Sequence, residues 1–114
     1  MSHLSILPTV LRDETLLAQA LEDLSLPVER HGVLEGFADD RQPVALHVRL
    51  PEGVSIGWAA QADGSLALVG DLQRLSRSRP LQTLLGQITK RYAARLALQS
   101  AARDLPNAQL DLVA

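Results

Sequence analysis

Two short runs of alternating apolar and polar residues, joined by turn signals, restrict this chain more than any other feature. Val44, Leu46, Val48 and Leu50 alternate with Ala45, His47 and Arg49, and a period of two marks a strand with one buried face. Pro51-Glu52-Gly53 turns the chain into Val54, Ile56, Trp58 and Ala60, which again share one side. Ala62-Asp63-Gly64-Ser65 then carries the Asp-Gly signal of a tight hairpin leading into Leu66 to Val69. The pattern predicts three sequential antiparallel strands, whose apolar face must be covered by something else in the chain.

Helices supply that cover. Leu16, Leu17, Ala20, Leu21 and Leu24 recur at helical spacing behind Asp13, an N-cap residue, and Glu14, an acid favoured in a first helical turn. Pro27 ends this helix. A second and longer stripe, Leu81, Leu84, Leu85, Ile88, Tyr92 and Leu96, predicts a helix from Pro80 to about Arg103. Asp71 can cap a short helical turn through Leu72 and Leu75. Elsewhere the pattern predicts a short strand from His3 to Leu7, an irregular or edge strand from Val28 to Phe37, a polar loop over 39–43 and a last strand from Ala108 to Val113. A chain of 114 residues is one domain in length, so residues 1–114 are read as a single unit. The expected fold is α+β: a two-layer sandwich with a mainly antiparallel sheet of about five or six strands and two main helices on one face. Val44, Leu46, Val48, Ile56, Trp58, Leu66 and Leu68 are expected to meet the helical stripes.

Most site chemistries find no residues to carry them. Cysteine is absent, which removes disulfides, thiolate nucleophiles and cysteine-bound metal centres. His3, His31 and His47 match no zinc spacing. No serine lies in a Gly-x-Ser-x-Gly elbow, and Gly53, Gly57, Gly64 and Gly70 are too scattered to cradle a phosphate. The pairs Glu22-Asp23 and Asp39-Asp40 read as solvated acids. No catalytic, cofactor-binding or metal-binding residue is therefore assigned. No apolar run reaches the roughly 20 residues of a membrane span, and the first residues lack a basic region followed by an apolar one. The expectation is a cytoplasmic protein without membrane insertion.

Charge is segregated along the chain. Residues 1–71 hold four Arg and eleven Asp or Glu, whereas residues 72–103 hold seven Lys or Arg and no acid. Such a block can steer an acidic macromolecule or face the acids of its own domain. At helical spacing Arg91 and Arg95 lie beside the stripe of Leu84, Ile88 and Tyr92, and with Arg74, Arg77 and Arg79 they are the candidate residues for binding an acidic protein. Nucleic acid is the alternative partner. It is weakened by aromatics limited to Phe37, Trp58 and Tyr92, since single strands are usually held by stacking. The sheet's other face carries Ser55, Gly57, Ala59, Ala67 and Val69, small side chains that suit close approach of a partner or a second copy. The leading functional expectation is a small non-enzymatic interaction or assembly factor. A nucleic-acid-associated regulator using residues 72–103 comes second and a cryptic small-molecule enzyme third.

The order of certain residues adds a family likeness. Met1-Ser2-His3-Leu4-Ser5 is followed by Leu11, Asp13, Leu16, Leu17, Ala20, Leu21, Asp23 and Leu24; Ile56-Gly57-Trp58 by Asp63-Gly64 and Leu66 to Asp71; and the long helix holds Gln87-Ile88-Thr89-Lys90-Arg91-Tyr92-Ala93. Over nearly its whole length the chain resembles the hypothetical chloroplast reading frame thirty-five family, a domain of unknown function in cyanobacteria and algal plastids. It departs from the family in Leu4, where Phe is usual, in its scarcity of aromatics, in lacking a tryptophan-rich segment after the third hairpin strand, and in stopping before the usual closing hairpin. The resemblance implies a cyanobacterial cytosol or plastid stroma as the setting and no catalytic residue. Because the apolar faces are complete without a metal or cofactor, a chelator is expected to leave the thermal melting curve unchanged; a large drop in Tm would reveal a structural metal.

Overall fold

A computed structural model describes residues 4–36, 40–50 and 53–104. The elements in chain order are β1 (Leu4–Leu7), α1 (Glu14–Asp23), β2 (Val28–Glu35), β3 (Arg41–Arg49), β4 (Ser55–Ala60), β5 (Leu66–Asp71), α2 (Leu72–Arg77) and α3 (Arg79–Asp104). All five strands form one antiparallel sheet in the order β1-β5-β4-β3-β2. The expected α+β class is what the chain adopts. The strand expected at Ala108 to Val113 lies outside the described residues.

Local chemistry explains the helix ends. The Asp13 carboxylate accepts the Leu16 amide, capping α1 as its sequence predicts. Asp71 accepts the amides of Gln73 and Arg74 at the start of α2. Ser78 Oγ accepts the Leu81 amide, so α3 begins where Pro80 fits a first turn.

One core lies between the sheet and the helices. Leu16, Leu17, Ala20 and Leu21 of α1 join Leu81, Ile88 and Tyr92 of α3 over Leu46, Val48, Ile56, Trp58, Leu66 and Leu68. Leu96, expected in the same stripe, is 42% exposed instead. The reason is length: α1 has 10 residues and α3 has 26, about 15 Å against 39 Å at 1.5 Å per residue, so the last turns of α3 run past their packing partner.

Val44 also departs from expectation. It belongs not to the helical core but to a second cluster with Leu34, Ala59, Val69 and Leu4, on the opposite face of the sheet. Strict alternation from Val44 to Leu46 would have kept the two together. Instead β3 pairs with β4 only from Leu46 to Arg49, while its pairing with β2 continues outward to Arg41. At the point of divergence His31 is left-handed, with φ of 60°, and a Cβ on Gly32 would lie 2.8 Å from His47 Nε2. Beyond this point the β2–β3 hairpin leaves the plane and lies across the second face. Its tip closes with the Gly36 amide donating to the Asp40 carbonyl, and the Asp40 carboxylate accepts the Leu4 amide of β1 at 2.8 Å. Residues 41–43, expected in a loop, are strand, and Pro43 is accommodated because this stretch of β3 pairs only with β2.

Gly57 is the floor on which the hairpin rests. A Cβ there would meet Val44 Cγ1 at 2.8 Å and both Leu34 Cδ1 and the Leu46 carbonyl at 3.0 Å. Gly57→Ala is expected to destabilise the fold by about 1–3 kcal/mol, the range for overpacking. Gly86 in α3 has nothing within 4 Å of its would-be Cβ, so Gly86→Ala is expected to stabilise by about 0.5–1 kcal/mol through helix propensity. Urea denaturation of both variants tests the opposite signs.

Candidate interaction surface

The basic block divides into two parts with different surroundings. Arg91 and Arg95 stand one turn apart on α3, and Gln19 and Asp23 stand one turn apart on α1, a spacing that places each pair on one helix face. Asp23 Oδ2 accepts Arg91 Nε at 2.7 Å and Arg95 Nε at 2.6 Å, while its Oδ1 accepts Arg95 Nη2 at 2.6 Å. Arg95 Nη1 also donates to Gln19 Oε1 at 3.2 Å. The two-point contact with Arg95 is the geometry that a planar guanidinium makes with a carboxylate. These arginines therefore hold α3 to α1. The partner is an acid from residues 1–71, one of the two roles open to the block.

The clamp also meets a need at the end of α1, which has no basic residue of its own in its last turn. Arg91 and Arg95 bring positive charge to that negative helix end. At the other end of α1 the Tyr92 hydroxyl accepts the amides of Arg12 and Asp13, at 3.1 and 2.9 Å. One stretch of α3 thus secures both ends of α1. Asp23 was legible only as half of an exposed acidic pair, because nothing local in its sequence shows that α3 will lie against it. The i, i+4 spacing of Gln19 with Asp23 was the available signal.

Arg74, Arg77 and Arg79 are the second part. All three are exposed, and among the described residues none of their guanidinium groups forms an ion pair with a carboxylate. They cluster from α2 into the first residue of α3, at the end of the chain's basic block nearest the sheet. Trp58 and Tyr92 are 2% and 5% exposed and belong to the core; Phe37 lies outside the described residues. The histidines are likewise dispersed. His31 is exposed, His47 Nε2 faces Glu29 Oε2 at 3.4 Å, and His3 lies outside the described residues.

The small-residue face is for the most part already occupied. Gly57, Ala59, Ala67 and Val69 are buried and Ser55 half-buried, and Leu34 and Val44 of the chain's own hairpin pack against this cluster. The close approach that the small side chains permit is made within the chain at Gly57, where Leu34 and Val44 lie over the backbone. Leu34, between Gly32 and Gly36, was the residue whose role the irregular sequence of β2 concealed.

The Arg95 hydrogen bonds, followed by that of Arg91, hold the Asp23 carboxyl well below the usual carboxylate range. A depressed folded-state pKa adds stability above the unfolded-state value of about 4, and that stability is lost as pH falls below it. Asp23→Asn is therefore expected to lower Tm at pH 7, by an amount constant down to about pH 5 that narrows under about pH 4. Parallel melts of variant and parent across pH 2.5–8 check both the sign and the window.

The comparisons with known proteins bear on the same residues. No curated protein matches the chain, and no solved structure does. A family model described as a protein of unknown function, DUF1257, matches residues 20–105, which hold Asp23, the hairpin, the sheet from β2 to β5 and both arms of the basic block. The chain belongs to the DUF1257 family.

Proposed function

We propose that this protein is a small non-enzymatic interaction module that engages an acidic protein surface through Arg74, Arg77 and Arg79. The observation that carries this reading is the contrast within one basic block. Arg91 and Arg95 are paired with Asp23, whereas the guanidinium groups of the three arginines of α2 and the α3 start are exposed and form no ion pair among the described residues. Exposed guanidinium groups can form two-point contacts with carboxylates on another molecule. Burial of Trp58 and Tyr92 favours a protein over a single-stranded nucleic acid, which would want a stacking surface. The likeness to the chloroplast reading frame family supports a cyanobacterial or plastid setting. No helix of the described residues is long and apolar enough to cross a membrane, in keeping with a partner met in solution.

Two defined probes separate the readings: a polyglutamate peptide and a single-stranded oligonucleotide of similar charge, each titrated at low and moderate salt. The parent is expected to bind polyglutamate more tightly. Arg74→Ala, Arg77→Ala and Arg79→Ala combined should weaken that binding at least about tenfold and flatten its salt dependence while leaving Tm near that of the parent. Tighter binding of the oligonucleotide would favour the nucleic-acid reading, and equal binding by the triple variant would remove the basis of both.

A further inference from the structure

The hairpin leaves one end of the second sheet face uncovered, and the residues there form a concavity unrelated to the basic cluster. It measures about 430 Å³ and is lined by Pro27, Glu29, His47, Arg49 and Ser55, a size within the usual range for small-molecule sites. The register brings the polar groups together. Arg49 is the direct cross-strand partner of Ser55, and His47, two residues earlier on β3, is the partner of Glu29 on β2; all four side chains stand on the same face.

Two donors in this set, those of Arg49 and Ser55, are unused. The Arg49 guanidinium and the Ser55 hydroxyl make no hydrogen bond or ion pair among the described residues, and neither does His47 Nδ1, since the ring meets Glu29 through Nε2. Ser55 is not bonded to His47, so the set is no Ser-His-acid relay; Arg49 and Ser55 are its two donors without a partner among the described residues. Glu29 lies against His47 and not against Arg49, so the Arg49 guanidinium has no ion-pair partner among the described residues.

A second concavity of about 430 Å³ adjoins the first, shares Pro27 and Arg49 with it, and adds Ser25, Leu26, Leu50 and Gly53. Arg49 thus stands between a wall of polar donors and an apolar one. We infer that this end of the sheet binds a small organic oxyanion, a carboxylate or phosphate monoester whose charged group lies against Arg49 and Ser55 and whose short apolar body lies over Leu26 and Pro27. A guanidinium and a hydroxyl recognise oxyanion oxygens of either kind, while the apolar wall favours a ligand with a hydrocarbon part over a bare ion.

Titration of the whole protein with phenyl phosphate, hexanoate, inorganic phosphate and acetate, followed by the Gly53 and Ser55 amide and Arg49 Nε NMR signals, tests the inference. At least one of the two organic anions is expected to give saturable shifts in the millimolar range, at least about tenfold tighter than its bare counterpart. Which of them saturates distinguishes phosphate from carboxylate. Arg49→Met, which keeps an apolar stem, should lose at least about tenfold in affinity, and Ser55→Ala should lose less, with the remaining amide spectrum unchanged in both. Arg74→Ala should bind as the parent does, separating this site from the basic cluster. Absence of saturation by either organic anion, equal binding by Arg49→Met, or bare ions binding as tightly as the organic ones would overturn it.

Discussion

The missing side chain at Gly57 is the constraint around which this molecule is arranged. A sheet with helices on one face normally leaves its other face to water or to a partner. Here Val44 Cγ1 and Leu34 Cδ1 come so close to the Gly57 backbone that a methyl group would collide with both. That contact lets the outer half of the β2–β3 hairpin lie flat on the sheet, and from it follow the burial of Ala59 and Val69, the junction of Asp40 with Leu4, and the open end where Arg49 and Ser55 stand. A chain with few large aromatics builds two clusters instead of one, using a single sheet as the wall of both.

The second organising contact is electrostatic and works at the opposite side of the sheet. α1 is short and shares a core with a helix more than twice its length. Apolar contact through Leu17, Leu21 and Ile88 is tolerant of sliding, because leucine side chains repack readily. Asp23 is not tolerant: its two oxygens accept three hydrogen bonds from two guanidinium groups, and Tyr92 fixes the start of α1 at the same time. The polar contacts therefore set the register that the leucines leave open. The block of seven positive residues thereby gains one compensating negative charge, which two of its arginines share across the helix pair.

Much of this fold was legible in the residues, and the failures have a common cause. Asp13 as a cap, the alternation of Ile56 with Trp58, the Asp63-Gly64 turn and the Leu81 to Tyr92 stripe all report local or nearest-neighbour physics, and each appears where the sequence places it. Val44 was misplaced because alternation is a local rule, and the bend that breaks it depends on β2, where His31 and Gly32 sit. Of the candidate site residues, Arg91 and Arg95 were open to an internal or an external acid, and in the fold they meet Asp23. Their choice between an internal acid and an external one rests on the approach of α1 and α3, some 70 residues apart in sequence, which no periodicity encodes. The Arg49, Ser55 and His47 grouping was hidden for the same reason, being a product of strand register.

The link from Asp40 to β1 has a further effect on the molecule's behaviour in a crowded solution. An outer strand such as β1 exposes backbone donors that another chain can pair with, and this is a common route to edge-to-edge aggregation. The Asp40 carboxylate occupies the Leu4 amide, placing a charged, acceptor-only group where an incoming strand would begin to zip. The hairpin that fills the second face thereby reaches the strand at the far edge of the sheet, and the residue that closes its tip takes up one of the backbone donors of β1.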